Sequence, residues 1–256
     1  MLQDLAASIG ADATFDSKFF AMMGVVFLAG MIRGYTGFGS ALLTVPALAY
    51  LYGPVPAVAI EILLEVPVVL GLLPVSLREA ERRTVMPMLG MFVLFVPVGT
   101  GLLTVIEPTV VQIAMSLFVL FSVVVMSRQT ELARLFSPGT NLLVGAVSGT
   151  TQGLTGMAGP LFATALLARG DSNSRTRANI TTLAAGIIAV SVISFWLFGL
   201  FTAEIVFYAA LATPTILFGV WAGAWLFRRG GENSFRPVIL WFLTASAIVT
   251  LYQTVT

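Results

Sequence analysis

Ten apolar stretches alternate with short polar connections along the 256 residues of this chain. They cover residues 19–33, 40–52, 55–77, 84–105, 109–126, 141–152, 158–168, 178–200, 204–227 and 237–254. A helix that crosses a bilayer needs about 20 apolar residues, and six of the stretches are near or above that length. The other four are short and form two pairs, each joined by a glycine-rich link. This pattern predicts an all-α polytopic membrane protein.

Composition supports the same class. Hydrophobic residues make up 58% of the chain and charged residues only 10%, whereas a soluble domain carries about 25% charged residues. The mean hydropathy is +0.98, so a lipid bilayer must cover much of the surface. The net charge of +1 and the lack of a Lys/Arg-rich run argue against nucleic acid as a partner. Cysteine and histidine are both absent, so we expect no metal and no cofactor.

Charge in the connections predicts the orientation in the membrane. Basic residues cluster at 78–83, 128–134, 169–177 and 228–236, and the alternate connections at 54–55, 107–108 and 201–204 carry almost none. The positive-inside rule places the basic set in the cytoplasm. We therefore expect a multi-pass protein of the bacterial inner (plasma) membrane with both termini extracytoplasmic. The net acidic residues 1–18 are interpreted as a lead-in on that side.

The two glycine-rich links match each other. The first is GMIRGYTG at residues 30–37 and the second is GTTQGLTG at 149–156, both GxxxGxTG with an offset of 119 residues. Each half then has about five helical elements, and an odd number requires the two repeats to have inverted topology, an arrangement of secondary transporters. The predicted organisation is a lead-in (1–18), a first repeat (19–127), a cytoplasmic linker (128–140) and a second repeat (141–256). The alternative is that GxxxG only lets helices pack closely.

The links predict an anion site near the bilayer midplane. Each runs into the start of a short helix, where free N–H groups and the positive end of the helix dipole favour an anion. Hydroxyl groups and Arg33, whose repeat mate is Gln152, would complete it. The predicted binding residues are Arg33, Gly34, Thr36, Gly37, Gly39, Ser40, Gln152, Gly153, Thr155, Gly156 and Gly159. Arg33 has two other interpretations: a snorkelling cation at the cytoplasmic side, or the partner of a structural carboxylate.

Two carboxylates stand inside an apolar stretch. Glu61 and Glu65 are four residues apart and share one helix face. The repeat offset pairs them with Ile180 and Ala184, so the second half has no equivalent acid. A carboxylate within the membrane is a candidate functional group, and we predict proton coupling at Glu65 or Glu61. An ion pair with Arg33 and direct contact with a cationic group of the substrate stay open.

One sequence element carries a family resemblance. The segment GYTGFGSALLTVP at residues 34–46, its degenerate copy in the second half and the basic loop after the third stretch resemble the TauE/SafE family, the sulfite exporter or toluenesulfonate uptake permease superfamily. The resemblance implies transport of small sulfur-containing anions such as sulfite or an organosulfonate like sulfoacetate. The second copy lacks the proline that would match Pro46 and has Pro160 instead.

The favoured function is a transporter that exports such an anion, because an anion leaving a negative cell interior gains about 2.3 kcal/mol per charge per 100 mV. A proton-coupled uptake carrier for an organic anion or zwitterion and an anion channel are the alternatives. An enzyme is not expected, because histidine is absent and aspartate occurs only in the lead-in and at Asp171. The small-residue faces of the helices are compatible with a homodimer.

Overall fold

The computed structural model describes residues 16–36, 39–127 and 138–230. These ranges form nine α-helices and a 3₁₀ turn at Pro138–Thr140, with no strand among them. The helices are α1 (Ser17–Thr36), α2 (Ser40–Tyr52), α3 (Pro54–Glu79), α4 (Arg82–Val105), α5 (Pro108–Ser127), α6 (Asn141–Thr155), α7 (Gly159–Leu167), α8 (Asn173–Leu197) and α9 (Ala203–Gly230). The all-α prediction is confirmed for nine of the ten stretches. The tenth, 237–254, lies outside the described residues.

Six of the described helices are long and apolar enough to cross a membrane: α1, α3, α4, α5, α8 and α9. The length of α1 differs from the prediction, because the helix does not stop at residue 33 but continues to Thr36 and is 20 residues long. The GxxxG part of the first link is therefore helical, and so is that of the second link, which belongs to α6. Glycine within a helix weakens it only slightly when neighbouring helices pack against it.

The helix breaks fall at the end of each matched motif or within two residues of it. Gly39, which precedes α2, has φ 94°, and Gly156, which follows α6, has φ 70°. Both angles lie in the left-handed region that favours glycine. At the second break the Gly156 N–H donates to the Gln152 carbonyl at 2.8 Å, and the Ala158 N–H donates to the Gln152 side chain at 3.2 Å. Each link thus interrupts a helix, as the sequence predicts.

The first helix pair starts and returns at one end of the molecule. α1 runs beside α9 in the same direction, with the rings of Phe27 and Phe218 stacked at 5.9 Å. The start of α1 and the end of α2 both contact Tyr208, whose ring lies 6.0 Å from Phe19 and 5.7 Å from Tyr52. α2 therefore leads back toward the end at which α1 begins.

The second helix pair starts and returns at the opposite end. α6 runs beside α4 in the same direction, so that Gly145 lies against Met88 and Gly153 lies against Val96. After α7 the chain reaches Arg169, which pairs at 3.4 Å with Glu81, the residue before α4. The two links therefore enter the protein from opposite ends.

Two basic connections share that second end. The Ser174 hydroxyl donates to the Glu79 carboxylate at 2.6 Å, and the Glu81 N–H donates to the Asn179 side chain at 2.7 Å. These bonds join the α3–α4 connection to the start of α8. The grouping agrees with the alternation inferred from loop charge, and the assignment of this end to the cytoplasm stays a prediction.

Apolar side chains cover the outside of the bundle. Leu94, Leu197 and Trp221 are exposed by 60%, 70% and 57%, a pattern that a lipid environment allows and water disfavours. Polar and charged side chains such as Arg33, Glu61 and Asn179 are instead buried. The chain is a multi-pass membrane protein with charged side chains buried between its helices.

Candidate functional site

A cavity of about 60 Å³ lies where the two helix breaks meet. Residues at the starts of α2 and α7 and side chains of α3 and α8 line it. It is lined by Arg33, Gly39, Ser40, Ala41, Glu61, Glu65, Gln152, Gly156, Gly159, Phe162, Ile180, Ala184, Ile187 and Ile188. Eight of these residues were predicted for the site: Arg33, Gly39, Ser40, Gln152, Gly156, Gly159, Glu61 and Glu65.

Gly34 and Gly153 lie in helix contacts and are not part of the cavity lining. A Cβ on Gly34 would stand 2.0 Å from the carbonyl oxygen of Val220 in α9, and one on Gly153 would stand 2.2 Å from that of Val96 in α4. Only glycine permits such close approach of two backbones. The packing interpretation of GxxxG therefore fits these two residues, and binding by them stays an untested prediction.

One of the two predicted threonines uses its hydroxyl within its own helix. The Thr155 hydroxyl donates to the Thr151 carbonyl of its own helix at 2.8 Å, which directs this bond away from a ligand. Thr36 is the last residue of α1, but its side chain and Gly37 lie outside the described part of the chain.

Arg33 and Glu65 form an ion pair at the cavity. A guanidinium nitrogen of Arg33 lies 3.1 Å from Oε2 of Glu65, and the two side chains are only 8% and 9% exposed. Oε1 of the same carboxylate accepts a hydrogen bond from the Ser40 hydroxyl. This geometry supports the ion-pair interpretation of Arg33, with its partner on α3.

Glu61 stands in the same cavity without such support. It is 1% exposed, and neither of its carboxylate oxygens has a hydrogen-bond partner among the described residues. A buried carboxylate ion without hydrogen-bond partners is costly, so Glu61 is less stabilised as an ion than Glu65 is. The two acids on one face of α3 are therefore in different chemical situations.

Residues that correspond in the two repeats line the cavity together, at the constant offset of 119. The corresponding pairs are Arg33 with Gln152, Ser40 with Gly159, Glu61 with Ile180, and Glu65 with Ala184. The first half therefore supplies the ionisable groups of the described lining. The second half supplies an amide and apolar surface.

Sequence reasoning missed the apolar part of the lining. Phe162, Ile187 and Ile188 gave no signal, because apolar residues in an apolar helix are indistinguishable from packing residues. It could have found Ile180 and Ala184, since the repeat offset points to both. Within the described ranges, no group of three or more His, Cys, Asp or Glu residues is placed to hold a metal ion.

A second polar network lies at the end that the basic connections share. The hydroxyl of Thr84 donates to the Glu81 carboxylate, which also pairs with Arg169. The hydrogen bond from Thr84 holds the pKa of Glu81 below its ordinary value. Partial desolvation opposes this shift, and the positive charge of Arg169 adds to it. Sequence reasoning used Arg169 only as part of a basic segment that predicts orientation, and it gave Glu81 and Thr84 no role.

The fold and the site together define a class: a polytopic membrane protein with broken helices that meet at a buried, charged cavity, as in many transporters. The family model described as Sulfite exporter TauE/SafE matches residues 22–250, so the chain belongs to that family. The resemblance found in the sequence is thereby confirmed. Searches of curated proteins and of solved structures gave no match.

Proposed function

We propose that this transporter exports a small sulfur oxyanion, sulfite before larger organosulfonates, across the bacterial inner membrane. The observation that carries the proposal is the buried guanidinium of Arg33 at the cavity where both helix breaks meet. Family membership supports the class of substrate, and the site supports where it binds.

The chemistry of the cavity suits an oxyanion. Arg33 is the only cationic side chain in its described lining, and guanidinium groups match the geometry of planar and tetrahedral oxyanions. The starts of α2 and α7 bring positive helix ends to the same place. The apolar surface of Ile180 and Ile187 lowers the local polarity and so strengthens each of these attractions.

The size of the cavity favours a compact substrate. A volume of about 60 Å³ has room for roughly four to six water-sized groups, at about 10–15 Å³ each. Sulfite has four heavy atoms and fits this space, whereas sulfoacetate has eight and would extend beyond it. We therefore place sulfite first among the candidate substrates.

The helix arrangement supports alternating access by two inverted repeats. The α1–α2 pair and the α6–α7 pair approach the cavity from opposite ends, and corresponding residues of the two halves line it. Inverted repeats allow a fixed central site to open to either side. With the basic connections in the cytoplasm, an anion released on the far side leaves the cell.

The test is sulfite flux in liposomes that contain the purified protein. We expect the wild-type protein to transport and bind sulfite, and Arg33→Gln to lose both by at least about 100-fold, since it removes a buried charge-assisted contact. Arg78→Gln, which removes an exposed arginine, is the matched control and should retain both. Normal sulfite binding by folded Arg33→Gln, or none by the wild type, would contradict the proposal. Unitary currents in planar bilayers would indicate a channel instead.

A further inference from the structure

Arg33 already has a partner at the cavity. The Glu65 carboxylate lies 3.1 Å from its guanidinium and is held there by the Ser40 hydroxyl. An anion that binds to Arg33 must therefore compete with Glu65 for the same cation. Substrate binding then becomes an exchange of one negative group for another.

Among the described residues that line the cavity, no cation other than Arg33 could pair with a displaced Glu65. The ionisable groups that face it are Arg33 on α1 and Glu61 on its own helix; α2 offers the Ser40 hydroxyl and α6 the amide of Gln152. The parts of α7 and α8 that line the cavity are glycine and apolar residues: Gly159, Phe162, Ile180, Ala184, Ile187 and Ile188. The described residues of α4, α5 and α9 do not line it. A buried carboxylate next to a bound anion would be strongly disfavoured unless protonated.

Glu61 lacks the ion pair that Glu65 has. Its two carboxylate oxygens are buried and without a hydrogen-bond partner among the described residues. This setting favours the neutral, protonated form of Glu61 over the ion. With Glu61 neutral, the charges of Arg33 and Glu65 cancel, and an anion alone would leave the cavity negative.

We propose that each monovalent anion enters with one proton, which binds to Glu65 as the anion displaces this carboxylate from Arg33, while Glu61 stays protonated throughout. This inference rests on the proposed function and adds its coupling. Before binding, the cavity holds one positive and one negative charge, those of Arg33 and Glu65. After binding, it holds Arg33 and the anion, and both carboxyl groups are neutral. The proton comes from the water on the loading side and returns to water on the other side.

The exchange makes transport electroneutral. The membrane potential then has no direct effect on a monovalent anion, and the direction follows the combined gradients of anion and proton. Export proceeds wherever the accumulated anion outweighs the inward pH gradient. This is a different prediction from uncoupled export, which the potential alone would drive.

Sulfite affinity measured as a function of pH tests the exchange. Because binding takes up one proton at Glu65, the dissociation constant of the wild type should rise about tenfold more per pH unit than that of Glu65→Gln, whose side chain is always neutral. The ionisation of sulfite itself is common to both proteins and cancels. Glu61→Gln imitates a permanently protonated Glu61 and should keep the wild-type slope. Glu107→Gln, which changes an exposed acid, is the control.

An equally steep change of the dissociation constant with pH in the wild type and in Glu65→Gln would overturn the proposal. An equally steep change in Glu61→Gln and Glu65→Gln would overturn it too. If Glu65→Gln does not fold, proton uptake during sulfite binding by the wild type decides: one proton per sulfite beyond the ionisation of free sulfite supports the exchange, and none refutes it. If sulfite does not bind to the wild type, the proposed function has failed.

The protonation of Glu61 can be checked without substrate. The infrared band of a protonated carboxyl group should be present in the substrate-free wild type and lost in Glu61→Gln. Absence of this band from the wild type refutes a protonated Glu61.

Discussion

The two halves of the chain contribute walls of different chemistry to the cavity. The wall from the first half carries Arg33, Glu61 and Glu65, and the positions 119 residues later carry Gln152, Ile180 and Ala184. A symmetric pair of charged walls would provide two cations and two anion sites. The observed walls provide one cation, so the cavity is suited to a single anion. The second half supplies an amide and apolar surface around it.

The glycines in and near the two links show a second contrast, between residues that pack against a neighbouring helix and residues that line the cavity. Gly34 and Gly153 touch neighbouring backbones, whereas Gly159 lines the cavity and a Cβ there would meet no atom within 4 Å. The same residue type thus serves helix contact in one place and cavity volume in another. The spacing of the motif alone does not separate these roles.

The largest expected effect comes from breaking the charged wall. Arg33→Gln leaves Glu65 buried without its cation and should destabilise the protein by about 3–5 kcal/mol, measured by denaturant unfolding in detergent. The double variant Arg33→Gln/Glu65→Gln removes both charges and should recover most of that loss without recovering sulfite binding. A double variant as unstable as the single one would show that the pair contributes little energy. Recovered binding in the double variant would contradict the role of Arg33.

A smaller effect is expected from the packing glycines. Gly34→Ala and Gly153→Ala force a methyl group into backbone contacts and should each cost about 1–3 kcal/mol, visible as a lower thermal unfolding midpoint. Gly24→Ala is the matched control in α1, because a Cβ there meets nothing within 4 Å. Gly159→Ala should leave the midpoint unchanged and weaken sulfite binding, since its methyl group occupies the cavity. Equal midpoints for Gly34→Ala and Gly24→Ala would refute the packing role.

The smallest effect is expected at Glu81, outside the cavity. Its folded-state pKa is lowered, chiefly by Thr84, so it stabilises the fold above its unfolded pKa near 4.3, and this contribution is lost as the pH falls through the lower folded value. Glu81→Gln should therefore lower the unfolding midpoint slightly at pH 6, and the difference from the wild type should shrink as the pH drops below about 4. If the difference in unfolding midpoint between Glu81→Gln and the wild type does not change with pH, the charge of Glu81 does not contribute to stability. Glu107→Gln, at an exposed position, controls for the loss of one charge.

Most of the element pattern was predictable because each element carries its own signal. Long apolar runs can be stable only as helices in a bilayer, and so nine of the ten stretches appear with small shifts at their ends. The end of α1 was misplaced because glycine is both a helix breaker and a packing residue. Only the neighbouring helix α9 determines that Gly30 and Gly34 are held in helical geometry.

The candidate site was predictable in its membership more than in its contacts. The repeat offset and the polar residues within apolar stretches pointed to Arg33, Ser40, Gln152 and Glu65, which do lie together. The apolar members of the lining could not be found in this way, because nothing distinguishes a cavity-lining isoleucine from a lipid-facing one in the sequence. The network of Glu81, Arg169 and Asn179 joins residues about 90 positions apart and has no local signal.

The sequence by itself determined the membrane class, the helices, the matched links and the identity of the charged residues, since each follows from local composition and spacing. Only the tertiary structure decided which carboxylate Arg33 meets. Glu61 and Glu65 share one face of α3, and their spacing treats them alike. The placement of α1 and α2 brings the guanidinium of Arg33 and the hydroxyl of Ser40 into contact with Glu65. Neither group forms a hydrogen bond with Glu61. That choice depends on distances between helices, which no local pattern contains.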